Sequence, residues 1–305
     1  MARGRSKPTV VNNQLHYVLG NGVQYIDVFR DLSALNRKLI RQGRVAYITD
    51  VGYTVQGAAA GASGRLVLEC LPNDWVHNNA WRKAQGHWRS QQKRALSITG
   101  SGAKPTWHDF KVYYDAAHRI GTTLSVPSLV YGEWMYSKLY YETDANAVQE
   151  WDLHMQGDNV STTDKGLVLG YQESRATVQA EDPGVPAGAS NNMYSLMQTD
   201  IDSVSDEVMN DMEDTNDAPP YDHDDYPGND SNYAAGHVTY LTATPMTPTV
   251  IPSAGVFCAP LGLIKILHQG IAQNDGSVTT APTAALTFRV AFGNYKGLAA
   301  PTFGQ

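Results

Sequence analysis

The sequence predicts a mainly β protein, an antiparallel β-sandwich interrupted by inserted helices. Short alternating apolar runs, bounded by Gly, Asp and Asn, recur through most of the chain. They do not alternate regularly with helical patterns, which disfavours a doubly wound parallel sheet. Finally, 27 Gly and 15 Pro in 305 residues, with only 17% charged, fit many turns better than a helical bundle. That length can bury a full core without disulfide staples.

Residues 1–13 read as a flexible basic arm carrying Arg3, Arg5 and Lys7. A helix is expected from Asp27 to Gln42, with Val28, Leu32, Leu35 and Leu39 on one stripe and Gly43 placed to end it. Arg44–Gln56 then alternates as a strand, with Val45, Tyr47, Thr49, Val51, Tyr53 and Val55 on one side. Gly57–Gly64 reads as a flexible hairpin tip leading into a strand over Arg65–Leu71.

A second helix is expected over about residues 73–96, started by Pro72 and Asp74, with Trp81, Ala84, Trp88, Gln91 and Ala95 on one face. Strands follow over Phe110–Tyr114, Thr122–Tyr131, Trp134–Glu142, Gln149–Gln156, Gly166–Tyr171 and Ser174–Ala180. Met193, Met197, Ile201, Val204, Val208 and Met212 suggest a third helix over about 192–213, before an acidic loop at 214–230. The end is β again, at His237–Thr244, Gly262–Gln269 and Ala284–Phe292. Roughly eleven strands with insertions suit a jelly roll, whose eight main strands make it the commonest large sandwich. Residues 14–305 then form one jelly-roll domain with insertions. A double jelly roll, needing about sixteen strands, is the alternative.

The net charge of −7 divides unevenly. Residues 1–120 hold 17 Lys and Arg against 7 Asp and Glu, and the remainder holds 6 against 23. Between Arg175 and Lys265 there is no Lys or Arg. The split suggests a basic face for nucleic acid and a separate acidic surface. The densest cationic cluster, Arg82, Lys83, Arg89, Lys93 and Arg94, lies in the second expected helix, interleaved with Trp81 and Trp88. Phosphates take affinity from cations, and flat rings can stack on unpaired bases. The helical spacing of the two Trp residues argues that they are core instead. The arm at Arg3, Arg5 and Lys7 would add modest, salt-sensitive binding.

The acidic stretches Asp211–Asp217 and Tyr221–Tyr226, with His223 among the carboxylates, offer hard oxygen ligands. Calcium is the ion such a loop would take. The spacing is not that of a calcium loop, so an exposed solvating loop is the plainer reading and no metal or cofactor is assigned. Cys70 and Cys258 sit in apolar runs and read as buried free thiols. No nucleophile elbow, phosphate loop, zinc-protease helix or dinucleotide fingerprint occurs, so no catalytic residue is expected. His108 and His118 read as satisfied side chains, and Asn159-Val-Ser161 as a chance glycosylation pattern. The longest apolar stretch, around Gly255–Leu267, is interrupted by Pro260 and Lys265 and too short to span a bilayer. A soluble protein made in a reducing compartment is expected.

Asp31-Leu-Ser-Ala-Leu-Asn-Arg-Lys-Leu-Ile-Arg-Gln-Gly43 and Leu71-Pro-Asn-Asp-Trp-Val-His-Asn-Asn-Ala-Trp-Arg-Lys83 resemble segments in capsid proteins of small circular single-stranded DNA viruses from environmental samples. Pro219-Pro-Tyr-Asp-His-Asp-Asp-Tyr-Pro-Gly228 and Ala259-Pro-Leu-Gly-Leu-Ile-Lys265 extend the resemblance. It implies a jelly-roll subunit that self-assembles into an icosahedral shell around a DNA genome, contacted without sequence specificity. Its basic first third would face inward and its acidic loops outward or toward subunit contacts. The virion, after synthesis in host cytoplasm or nucleus, would be its location, with a host receptor as a further partner. Many such proteins begin with a long Arg-rich arm; here Arg3, Arg5 and Lys7 stand alone. A double jelly-roll capsid protein of a membrane-containing phage would tolerate that weak arm. A β-sandwich carbohydrate-binding or attachment protein, using Trp134, Tyr136, Tyr140 and Tyr141, is the other alternative. A metal-dependent hydrolase built on Asp222, His223, Asp224 and Asp225 would require tightly bound metal.

Overall fold

The computed structural model describes residues 10–55, 62–99, 107–142, 148–174, 226–229, 235–243, 256–272 and 276–304. In chain order the elements are β1 (Gln14–Leu19), β2 (Gly22–Asp27), α1 (Val28–Asn36), β3 (Val45–Val55), β4 (Ala62–Cys70), α2 (Trp75–Thr99), β5 (Tyr113–Asp115), α3 (Ala116–Ile120), β6 (Lys138–Glu142), β7 (Val148–Gln156), β8 (Asp164–Gly166), α4 (Leu167–Glu173), β9 (His237–Ala243), β10 (Phe257–Pro260), β11 (Leu263–Ala272), β12 (Val278–Thr279), β13 (Ala284–Val290), β14 (Phe292–Gly293) and β15 (Gly297–Leu298).

The fold is mainly β, as expected, and two antiparallel sheets face each other. One has the order β1-β13-β3-β10; in the other, β11 joins β4 and β9 on one side and β2 and β12 on the other. Period-two patterning explains the layers. In β1, Leu15, Tyr17 and Leu19 are buried while Gln14, His16 and Val18 face out. In β13, Ala284, Leu286, Phe288 and Val290 point inward. The facing sheet adds Ile26, Leu66, Leu68, Leu241, Ile264 and Ile266 to the same apolar core. After β1, residues 20–22 carry the chain to the other sheet, with Gly22 at φ 90°. That left-handed conformation favours glycine.

The chain between β4 and β9 leaves the sandwich and builds a second unit. There β7 pairs antiparallel with β6 and parallel with β5 and β8. Its own core gathers Val76, Trp81, Trp88, Phe110, Leu153, Met155 and Val168, and reaches the sandwich through Tyr25, Val45, Leu261 and Leu263.

Several expectations need correction. Helix α1 stops at Asn36 rather than running to Gln42, because Arg37 turns left-handed at φ 51°. Ser33 Oγ then accepts from the Ile40 amide at 2.8 Å and folds the chain back. Gly43 ends no helix; its bare Cα admits the Trp81 indole, whose Cη2 would lie 2.5 Å from an added Cβ. The alternation of β3 changes phase: Ala46 and Ile48 face the core before Thr49, and Val51, Tyr53 and Val55 after it. Asp50 pairs with Arg289 and Ile48 with Val290, which leaves Thr49 as the extra residue of a bulge.

No hairpin joins β3 to β4, since the two strands belong to different sheets. Residues 122–131 make only an isolated bridge, at Thr123, and Ser128 interrupts them with φ 63°. The strand expected at Gly166–Tyr171 falls almost wholly in α4, Leu167–Glu173; a short apolar run alone cannot separate the two. Of the strand expected at Phe110–Tyr114, β5 retains the end. Residues 1–9 of the arm, 175–180 of the strand expected at Ser174–Ala180, the third helix, and 214–225 and 230 of the acidic loop lie outside the described residues.

Candidate nucleic-acid interface

Helix α2 has 25 residues, about 37 Å of rise, and no Asp or Glu. Asp74 caps it: one carboxylate oxygen accepts from the His77 amide and from His77 Nδ1, each at 2.8 Å. Burial opposes ionisation of Asp74, but these hydrogen bonds outweigh it and hold its pKa below the usual carboxylate range.

The apolar stripe of α2 faces inward. Val76, Ala80, Trp81, Ala84 and Trp88 are buried. Trp81 meets Phe110 and Phe303 edge-on at 5.7 and 5.9 Å, and Trp88 stacks on His108 at 4.4 Å. Both tryptophans are therefore packing residues. Gln91 makes the last anchor, donating to the Tyr140 carbonyl at 2.6 Å and accepting from its amide at 3.2 Å. Beyond it no described residue of α2 is buried. Ala95, expected on the core face, is exposed, and so is Ile98.

Arg82, Lys83, Arg89, Lys93 and Arg94 all project on the exposed side. At 100° per residue, Arg82, Arg89 and Lys93 form one stripe and Lys83 and Arg94 a second beside it. Several cations elsewhere are paired: Arg30 with Asp31 at 2.8 Å, Arg41 with Asp109 at 3.0 Å, Lys138 with Glu150 at 2.6 Å and Lys265 with Asp115 at 3.1 Å. Among the described residues, none of the five on α2 is in an ion pair. Lys83 has only the Tyr171 ring nearby, 5.9 Å from Nζ to its centroid. Arg3, Arg5 and Lys7 lie outside the described residues.

A second constellation escaped the sequence pattern. Asp27 caps α1 by accepting from the Arg30 amide at 3.0 Å. Its other oxygen accepts from Trp134 Nε1 at 3.0 Å, Gln42 Nε2 at 3.2 Å and the Tyr136 hydroxyl at 3.3 Å. Burial pushes the Asp27 pKa up to about 6. Asp31 accepts from the Tyr17 and Tyr131 hydroxyls at 2.6 and 2.9 Å. Together these bonds pin the 131–136 segment against α1.

Between them opens a pocket of about 500 Å³, lined by Arg30, Arg37, Lys111, Trp107, Tyr131 and Trp134 among others. Lys111 Nζ lies 4.5 Å from the Trp134 ring centroid, and the Arg30 guanidinium 4.9 Å from that of Tyr131. Burial lowers the Lys111 pKa, and its ammonium donates to the Met135 carbonyl at 3.3 Å. A neighbouring cleft of about 420 Å³ shares Trp107 and Lys111 and reaches Trp88 and Gln92 of α2. Of the four aromatics expected on an attachment surface, half of which alternation could bury, Trp134 and Tyr136 donate to Asp27, whereas Tyr140 and Tyr141 are exposed. The available signal was Tyr131, Trp134 and Tyr136 crowded within six residues.

Other sequence candidates resolve simply. His118 is buried, accepts from the Tyr114 amide at 3.1 Å and meets Thr123 Oγ1 at 3.1 Å. Cys70 and Cys258 are free thiols whose pKa values burial raises. No group of three or more metal-ligating side chains occurs among the described residues, and Asp222–Asp225 fall outside them. No described helix is long and apolar enough to cross a membrane. No protein-family model, curated protein or solved structure matches the chain.

Proposed function

We propose that the chain is a jelly-roll capsid subunit that self-assembles into an icosahedral shell around a single-stranded DNA genome. The observation that carries this reading is strand order. If β1, β2, β3, β4, β9, β10, β11 and β13 are numbered one to eight, the sheets run 1-8-3-6 and 2-7-4-5. Two interlocked Greek keys wound into a roll have that order. The unit built on α2, inserted between β4 and β9, leaves the pairing of the roll intact. The small mixed sheet of β5, β6, β7 and β8 supports a single roll over a double one.

The cations of α2, in no ion pair among the described residues, support genome contact without sequence readout. Weak identical contacts gain strength through closure of the shell. The subunit needs no catalytic residue or cofactor for this role. Negative-stain microscopy and sedimentation of the purified protein test it. Uniform spherical particles of megadalton mass are expected; small oligomers alone, across salt and pH, overturn it.

A further inference from the structure

We propose that the pocket between α1 and the 131–134 segment holds one nucleotide of a single-stranded polynucleotide, its base on Trp107 and its phosphate between Arg37 and Lys111. The proposal takes its ligand from the capsid reading, as a nucleotide of the enclosed genome.

Three features of the pocket select that chemistry. First, its lining carries Arg30, Arg37 and Lys111 against the single carboxylate of Glu133, so it favours an anion. Arg30 is already held by Asp31 and by the Leu124 carbonyl, which leaves Arg37 and the ammonium donors of Lys111 not spent on the Met135 carbonyl to meet the ligand. Second, the Trp134 and Tyr131 rings each carry a cation, whereas Trp107 is 60% exposed and has no cation over its ring among the described residues. Third, about 500 Å³ lies in the usual range for small-ligand pockets. The adjoining cleft then leads past Trp107 to Gln92, on the helix that bears the five unpaired cations. A strand entering the pocket thus has a path to the α2 face.

The site is also preorganised. Asp27 fixes Trp134, Asp31 fixes Arg30 and Tyr131, and the Met135 carbonyl fixes Lys111. Ligand binding need not order these groups.

The test is fluorescence anisotropy with a labelled ten-nucleotide oligothymidylate on the full chain, at several salt concentrations. Trp107→Ala is expected to weaken binding about tenfold with an unchanged salt slope, since it removes stacking and no charge. Arg37→Ser is expected to weaken it and to reduce the log–log salt slope by about 0.7, one phosphate contact. Both side chains are exposed, so the fold survives either change, and Lys111→Met repeats the charge arm from a buried position. Wild-type oligonucleotide affinity in both exposed-residue variants overturns the proposal. So does binding of a sialylated glycan in place of the oligonucleotide. Sedimentation of the same samples keeps the two readings apart: absence of particles sinks the capsid reading, while loss of oligonucleotide binding in Trp107→Ala would still stand.

Discussion

The Tyr53 hydroxyl and His268 Nε2 meet at 2.9 Å across the sandwich, linking β3 of one sheet to β11 of the other. His268 Nδ1 lies 2.8 Å from the Gly20 carbonyl and can only donate there, so Nε2 accepts from the tyrosine. The bond therefore ties both sheets to the corner between β1 and β2. Tyr53→Phe is expected to lower unfolding free energy by about 1–3 kcal/mol, because it strands a buried acceptor. Urea denaturation should show the midpoint shift with an unchanged slope. A midpoint within error of the wild type would mean the bond contributes nothing.

Acid should weaken the fold through buried imidazoles. Burial depresses the His118 pKa to about 3 and also lowers that of His268. Below about pH 6.5 the unfolded chain takes up these protons while the native chain does not, so stability falls as pH drops. Asp27 acts with the opposite sign: its pKa is raised to about 6, so the native state binds the extra proton between pH 6 and the ordinary carboxylate range. Denaturation midpoints measured from pH 8 to 4 should decline below 6.5, and His118→Gln should flatten that decline. A wild-type profile flat across this range contradicts the argument.

Two glycines should respond to alanine in opposite directions. Gly86 is interior to α2 and a Cβ there meets nothing within 4 Å. Gly86→Ala is expected to stabilise by about 0.5–1 kcal/mol through helix propensity and reduced unfolded-state entropy. Gly43→Ala drives a methyl into the Trp81 ring and is expected to cost about 1–3 kcal/mol. Thermal melts of the two variants should bracket the wild type.

Much of this architecture was legible because local and tertiary demands agreed. The seven-residue spacing of Trp81 and Trp88 marked α2 and its buried face, and Asp74 marked its start. Where they disagreed, pattern failed. Leu39 continues the apolar stripe of α1, yet Arg37 turns left-handed, Ser33 captures the Ile40 amide and the helix ends early. Thr49 looks like any strand residue, and only its partner β13 reveals the bulge. The nucleotide pocket was illegible for a related reason. Arg37, Lys111 and Trp134 are about a hundred positions apart at the extremes and converge only because Asp27 and Asp31 draw the 131–136 segment onto α1.

The basic face of α2 makes the sharpest prediction about genome packaging. Its five cations are exposed, lie opposite the Trp81 and Trp88 anchors and have no acidic partner among the described residues. Replacing Arg82, Lys83, Arg89, Lys93 and Arg94 together by Gln should therefore change stability by no more than about 0.5 kcal/mol per site, as surface changes do. Electrostatic binding should respond strongly, because each cation that releases a counterion from single-stranded nucleic acid adds about 0.7 to the salt slope. Five such contacts correspond to a loss of about 3.5 in slope. Particles of the variant should form and sediment normally but contain less nucleic acid, read from the ratio of absorbance at 260 and 280 nm. Unchanged nucleic acid per particle would move genome contact away from α2, to the pocket beside Trp107 or to residues 1–9.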